Sequence, residues 1–100
     1  MEPEDGMVQT RLVRVRGRVQ GIGYRDACVR HAESLRVTGW VRNRMDGSVE
    51  VMLQGGAKQL ADMCEWLSDG MPAALVEELE VAELPPPFPR FDRFDWLPTL

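Results

Sequence analysis

The segment from Gly17 to Gly23 is the part of the sequence best suited to chemistry, because it is rich in glycine and precedes a predicted helix. Such a loop can turn several backbone N–H groups inward as an anion-binding nest. The helix that begins near Tyr24 adds the positive end of its dipole. Arg25 lies in the first helical turn, and its guanidinium can take two phosphate oxygens at once. The pattern predicts a phosphate site, with a simple tight turn as the alternative at this point.

Two common phosphate-binding loops are excluded by the spacing of the glycines. The sequence contains no GxxxxGK[ST] motif, so the loop is not that of a nucleoside triphosphate-binding protein. The spacing is Gly-x-x-x-Gly-x-Gly, which differs from the GxGxxG of dinucleotide-binding folds. A chain of 100 residues also forms one domain, with no room for a second one that binds a cofactor.

The charge of the chain is unevenly distributed, although the net charge is only −4. Between Arg11 and Arg44 the sequence has nine arginines and only two acids, Asp26 and Glu33. This distribution favours a local anion site over an extended nucleic-acid surface. For most of these arginines, solvated positions on strand faces are the simpler interpretation.

Composition and termini predict a reduced, cytoplasmic monomer. No run approaches the ~18 apolar residues of a membrane-spanning helix, and the acidic start of the chain is unlike a secretory signal. Cys28 and Cys64 are too few to build a disulfide framework or to close a zinc site alone, so we expect reduced, partly buried thiols on helices. No exposed heptad pattern or long apolar patch indicates an oligomer.

The elements that must position the loop are predicted from periodicity. We expect a loose tail over residues 1–9 and one domain over residues 10–100. The predicted strands cover 11–16, 39–43, 49–54, 75–84 and a short edge segment within 91–96, and the predicted helices cover 24–35 and about 60–67. Asp46-Gly47 predicts the hairpin between the second and third strands. The order βαββαβ predicts an α+β sandwich with both helices on one face of an antiparallel sheet.

Two segments resemble the signatures of the acylphosphatase family. Residues 17–25, GRVQGIGYR, resemble G-x-V-Q-G-V-x-[FY]-R. Residues 39–50, GWVRNRMDGSVE, resemble G-W-V-x-N-x-x-D-G-x-V-E. The resemblance runs from about residue 13 to the fourth strand, which is most of the chain.

The resemblance implies a ferredoxin-like α/β sandwich and a metal-independent hydrolase without a cofactor. Its substrate would be an acyl phosphate, cleaved at the carboxyl–phosphate bond to a carboxylate and inorganic phosphate. Arg25 would bind the phosphate and stabilise its charge in the transition state, and Asn43 would position the attacking water. The loop amides expected to hold the phosphate are those of Val19, Gln20, Gly21, Ile22, Gly23 and Tyr24.

This division of roles is chemically reasonable. Acyl phosphates have a good leaving group, so phosphoryl transfer needs mainly charge stabilisation and a water in line. An amide orients water without titrating near neutral pH. We hypothesise that a substrate phosphate oxygen accepts the proton of the water. His31 is expected to be uncatalytic, because it lies almost two helical turns beyond Arg25.

Two other functions compete with this interpretation. An RNA-recognition sheet would carry stacking aromatic residues in its third strand, and residues 48–54 contain none. An accessory domain of the same family would bind an anion or a partner without turnover. The physiological acyl phosphate stays open among acetyl phosphate, carbamoyl phosphate and 1,3-bisphosphoglycerate.

Two of the departures from the family pattern bear on the backbone. Arg36 stands where the family often has glycine, and a left-handed backbone there would cost about 1 kcal/mol. Pro98 is expected to limit the pairing of the last residues, because proline has no backbone N–H.

Overall fold

The computed structural model describes residues 8–100 of the chain. Residues 1–7, most of the predicted tail, lie outside the described residues. The elements are β1 (Gln9–Arg18), α1 (Tyr24–Ser34), β2 (Thr38–Asn43), β3 (Val49–Gly55), α2 (Ala57–Asp69), β4 (Leu75–Leu84) and β5 (Phe94–Trp96). The predicted βαββαβ order is confirmed, and β5 follows it as a short edge strand. Within residues 8–100, no helix has the length and apolar character needed to cross a membrane.

The sheet has the strand order β4-β1-β3-β2-β5. The predicted antiparallel pairing holds for β1 to β4, whereas β5 runs parallel to β2 and makes the sheet mixed. The direction of β5 follows from where β4 ends. Leu84, the last residue of β4, lies opposite Thr10 near the start of β1, and β2 also starts at this end of the sheet. The connection from β4 to β5 crosses the sheet at this end, so β5 begins beside the start of β2 and runs parallel to it.

Both helices contribute to one core against the sheet. The alternation of the strands turns every second residue of β1, β2 and β3 toward the helices, and the apolar ones among these residues enter the core. The fully buried side chains that fill it include Val13, Val15, Val41, Val51 and Leu53 from the sheet and Cys28, Ala32, Leu60, Met63 and Leu67 from the helices. This packing fixes the start of α1 against the end of β2, where the two resembling segments meet.

The predicted Asp46-Gly47 hairpin joins β2 to β3. Gly47 has a φ of 92°, which glycine adopts without strain. The backbone N–H and the hydroxyl of Ser48 donate to Asp46 Oδ1 at 2.9 and 2.6 Å. These bonds, with Arg16 and Arg14 nearby, lower the pKa of Asp46 to about 2. The turn is therefore closed by its own side chains.

The two departures from the family pattern have different outcomes. Arg36 has a φ of 61°, so the backbone there is left-handed and the condition for the strain is met. The expectation that Pro98 limits pairing is wrong for its neighbours. Leu97 N–H donates to the Val41 carbonyl at 2.9 Å, and Leu100 N–H donates to the Asn43 carbonyl at 3.1 Å. Only proline itself lacks an N–H, so the residues around it still bond to β2.

Candidate active site

The loop between β1 and α1 presents an open row of backbone donors. Gly21 and Gly23 have φ values of 79° and 81°, left-handed conformations that favour glycine. Gly23 is the N-cap of α1, and no side chain of residues 8–100 caps the helix. Among residues 8–100, no protein group accepts a hydrogen bond from the backbone N–H groups from Gln20 to Asp26. Such open donors at a helix N-terminus form an anion site.

A cavity of about 90 Å³ lies in front of these donors. Its lining consists of Val19, Gly21, Gly23, Tyr24, Arg25, Asp26, Asn43 and Trp96. The cavity brings together the two side chains that the resemblance singles out, Arg25 and Asn43, although they are 18 positions apart in sequence. Gln20 and Ile22 do not line it, and their predicted contribution through backbone amides stays a prediction.

The side chain of Gln20 connects the loop to the hairpin. Its Nε2 donates to the carbonyls of Arg44 and Ser48, each at 2.9 Å. Arg44 follows Asn43 directly, so these bonds hold the loop between β1 and α1 against the end of β2. Ile22 instead packs against the hydrophobic core. Both side chains therefore support the loop from outside the cavity.

Arg25 projects from the first turn of α1 toward β5. Its guanidinium carbon lies 4.7 Å from the centroid of the Trp96 ring, a cation–π contact. Within the described residues, the Arg25 guanidinium has no carboxylate or other hydrogen-bond partner. Trp96 is 56% exposed and lines the same cavity. Sequence reasoning missed Trp96, because the periodicity indicated an edge strand here without showing which neighbour it pairs with.

Asn43 ends β2 and is only 8% exposed. Its Oδ1 is buried and has no hydrogen-bond partner among the described residues. A buried acceptor without a partner is unfavourable unless water or a ligand satisfies it. This oxygen can therefore accept a hydrogen bond from a water molecule in the cavity.

Three other titratable side chains on α1 make contacts with protein groups. Asp26 lines the cavity, but its carboxylate pairs with Arg30 at 2.9 Å. His31 stacks on Trp66, with ring centroids 5.0 Å apart, and it does not line the cavity. That His31 takes no part in catalysis stays a prediction. The Tyr24 hydroxyl donates to the Leu67 carbonyl at 2.6 Å, and burial raises the tyrosine pKa, so the phenol stays neutral.

The two cysteines lie on the helices, as expected. Both are free; Cys28 is buried in α1 and Cys64 is half-buried in α2. Burial raises the pKa of both thiols, so neither is a ready nucleophile. Residues 8–100 contain no cluster of three or more histidine, cysteine or acidic side chains suited to a metal ion.

The fold and this site define a class: a ferredoxin-like α/β sandwich with an open helix N-terminus and an unpaired arginine facing one cavity. The acylphosphatase family model matches residues 11–96, and the chain belongs to the acylphosphatase family.

Relatives of known family agree with this assignment. A protein of Ralstonia nicotianae named acylphosphatase 1 is 76% identical over 91 residues, covering 91% of this chain and 89% of that protein. An acylphosphatase of Polaromonas naphthalenivorans is 67% identical over 89 residues, covering 89% of this chain and 88% of that protein. The structure of an acylphosphatase from Coxiella burnetii matches with a TM-score of 0.87 at 30% identity, covering 97% of this chain and 100% of that one.

Proposed function

We propose that this member of the acylphosphatase family hydrolyses the carboxyl–phosphate bond of acyl phosphates without a metal ion. The observation that carries the proposal is the meeting of three features in one cavity. These are the open amides of the loop, the unpaired Arg25 guanidinium and the buried Oδ1 of Asn43. The products are a carboxylate and inorganic phosphate.

The phosphate group binds against the N-terminus of α1. The loop amides and the helix dipole supply partial positive charge, and Arg25 supplies a full one. Five guanidinium N–H groups are available, because no carboxylate among residues 8–100 pairs with Arg25. The negative charge that spreads over the phosphoryl oxygens in the transition state is therefore met by fixed donors.

The attacking water is held by Asn43. Its Oδ1 accepts a hydrogen bond from one O–H group of the water, which points the water oxygen toward phosphorus. A P–O bond forms to the water as the bond to the carboxylate oxygen breaks, and that oxygen keeps the electron pair. The second water proton passes to a phosphate oxygen, so no enzyme base titrates. A bell-shaped rate profile controlled by an enzyme group near neutral pH would contradict this step.

The roles of Arg25 and Asn43 can be distinguished by measuring phosphate binding and kcat in variants. Arg25→Ala should weaken the binding of inorganic phosphate and lower kcat together, because it removes a charge that both states use. Asn43→Ala should lower kcat and leave phosphate binding close to wild type. Lys58→Ala is the matched control, since Lys58 is exposed on α2 and pairs with Asp62 at 3.0 Å, and neither residue lines the cavity.

Titration calorimetry with inorganic phosphate and steady-state hydrolysis of benzoyl phosphate measure the two effects. Near-normal turnover in Arg25→Ala or Asn43→Ala would remove that residue from the mechanism. Phosphate binding by the folded wild-type protein without turnover would replace the hydrolase with an accessory, anion-binding domain.

The proposal includes a cytoplasmic monomer as the working form. The two free cysteines suit a reducing compartment. Sedimentation at micromolar concentration tests the oligomeric state, and a dimer would overturn this part alone.

A further inference from the structure

We propose that Trp96 is a positioning residue for the reaction: its ring holds the Arg25 guanidinium at the cavity and leaves the guanidinium donors free for phosphate. The inference rests on the proposed function, because it takes Arg25 as the phosphate-binding cation. Trp96 acts through Arg25 and does not itself touch the reacting atoms.

The position of Trp96 follows from the parallel edge of the sheet. Trp96 pairs with Val41 of β2, two residues before Asn43, and α1 packs against β5. Arg25 reaches out from the first turn of α1, and its guanidinium carbon lies within the ~6 Å range of a cation–π contact. Trp96 therefore contacts Arg25 on α1 and belongs to the strand paired with β2, which carries Asn43.

A ring holds an arginine differently from a carboxylate. Arg30, five residues further along α1, is bound by Asp26 at 2.9 Å, and Arg42, which also stacks on a ring, donates to Glu50 at 2.9 Å. Those carboxylates occupy guanidinium N–H groups that a phosphate would need. Arg25 has only the ring as a partner among residues 8–100, and a π face attracts the cation without accepting its in-plane N–H groups.

The ring is held by its backbone, although it is half exposed. Gly39 N–H donates to the Arg93 carbonyl at 3.0 Å, and Leu97 N–H donates to the Val41 carbonyl at 2.9 Å. These two bonds fasten β5 to β2 on both sides of Trp96. Because β2 ends in Asn43, the ring fixes Arg25 relative to the residue that holds the water.

The experiment compares Trp96→Leu with Trp96→Phe. Leucine keeps an apolar side chain without a π face, whereas phenylalanine keeps the face. Trp96→Leu should raise the dissociation constant of inorganic phosphate and lower kcat/KM roughly three- to ten-fold, the size expected for a partly exposed cation–π contact. Trp96→Phe should recover most of both quantities. Equal losses in the two variants, or no loss in Trp96→Leu, would overturn the proposal.

A double mutant shows whether Trp96 acts by positioning Arg25 or only by packing. In an Arg25→Ala background, Trp96→Leu should cause little further loss of phosphate affinity, because the cation that the ring holds is gone. A persistent loss in that background would assign Trp96 to packing and contradict the proposal. Trp40→Leu is the matched control: it removes the ring stacked on Arg42 at 4.8 Å and should leave phosphate binding unchanged.

The same measurements distinguish a failure of the proposed function from a failure of the inference about Trp96. If Arg25→Ala binds phosphate as well as the wild type, the role of Arg25 fails and the role of Trp96 fails with it. If Arg25→Ala is impaired and Trp96→Leu is not, only the inference about Trp96 is overturned.

Discussion

Replacing Gln20 with methionine should uncouple the phosphate loop from the hairpin that carries Asn43. Methionine keeps the length of the side chain but removes both donors. The lost contacts are the bonds from Nε2 to the carbonyls of Arg44 and Ser48. Each such bond contributes about 0.5–1.5 kcal/mol net to stability.

The loss in the free energy of unfolding caused by Gln20→Met can be estimated from the hydrogen bonds that remain. The Arg44 carbonyl still accepts from Gly47 N–H at 3.1 Å, and the Ser48 carbonyl still accepts from Arg44 N–H at 2.8 Å. Neither carbonyl is left without a partner, so no further penalty applies. We therefore expect a loss of about 2 kcal/mol in the free energy of unfolding. In a domain of this size, that loss lowers Tm by roughly 8–16 °C.

Activity should fall beyond what stability explains. A loop released from β2 no longer holds its amides in register with Asn43, and small misplacements cost roughly ten-fold or more in kcat/KM. Gln59→Met is the control, since Gln59 Nε2 donates to the Leu35 carbonyl at 2.8 Å and neither residue lines the cavity. Urea unfolding and benzoyl phosphate hydrolysis compare the variants. If both lose stability and Gln20→Met keeps wild-type kcat/KM, the coupling is refuted.

Two further predictions concern stability. The pKa of Asp46 is lowered to about 2 in the folded protein, so its ionised carboxylate stabilises the fold. This stabilisation is fully present at pH values above the ordinary pKa of an aspartate, and it is lost as the pH falls through about 2. Asp46→Asn should therefore lose less stability than the wild type between about pH 4 and pH 2, and parallel losses in urea titrations would contradict this. Arg36→Gly should raise the free energy of unfolding by about 1 kcal/mol, because the left-handed backbone no longer carries a Cβ. A lower Tm would show that the contacts of Arg36 outweigh the strain.

The sequence predicts those parts of the fold that depend on residues close together in the chain. The glycine loop, the start of α1 and the Asp46-Gly47 turn depend on residues that are close neighbours in the chain. The register of β4 was not predictable, and the structure explains why. The pairing of β1 with β4 shifts at a bulge between Arg16 and Gly17, and β4 is an exposed edge with weak alternation.

The parts of the site that escaped prediction depend on contacts between distant segments. The place of Trp96 depends on the connection from β4 crossing to the far edge of the sheet, where β5 becomes parallel to β2. The bond from Leu100 N–H to the Asn43 carbonyl depends on the same crossing. Neither periodicity nor spacing carries this information, because both report on neighbours along the chain.

Hydrolysis of benzoyl phosphate in water enriched in ¹⁸O, with excess EDTA, tests the central claim most directly. Mass spectrometry of both products shows where the attacking oxygen goes. Water held by Asn43 against a phosphate bound by Arg25 attacks phosphorus, so rapid turnover should place the label in inorganic phosphate and leave benzoate unlabelled. Label in benzoate would show attack at the carbonyl carbon and contradict the arrangement, and no turnover by the folded protein would contradict the hydrolase itself.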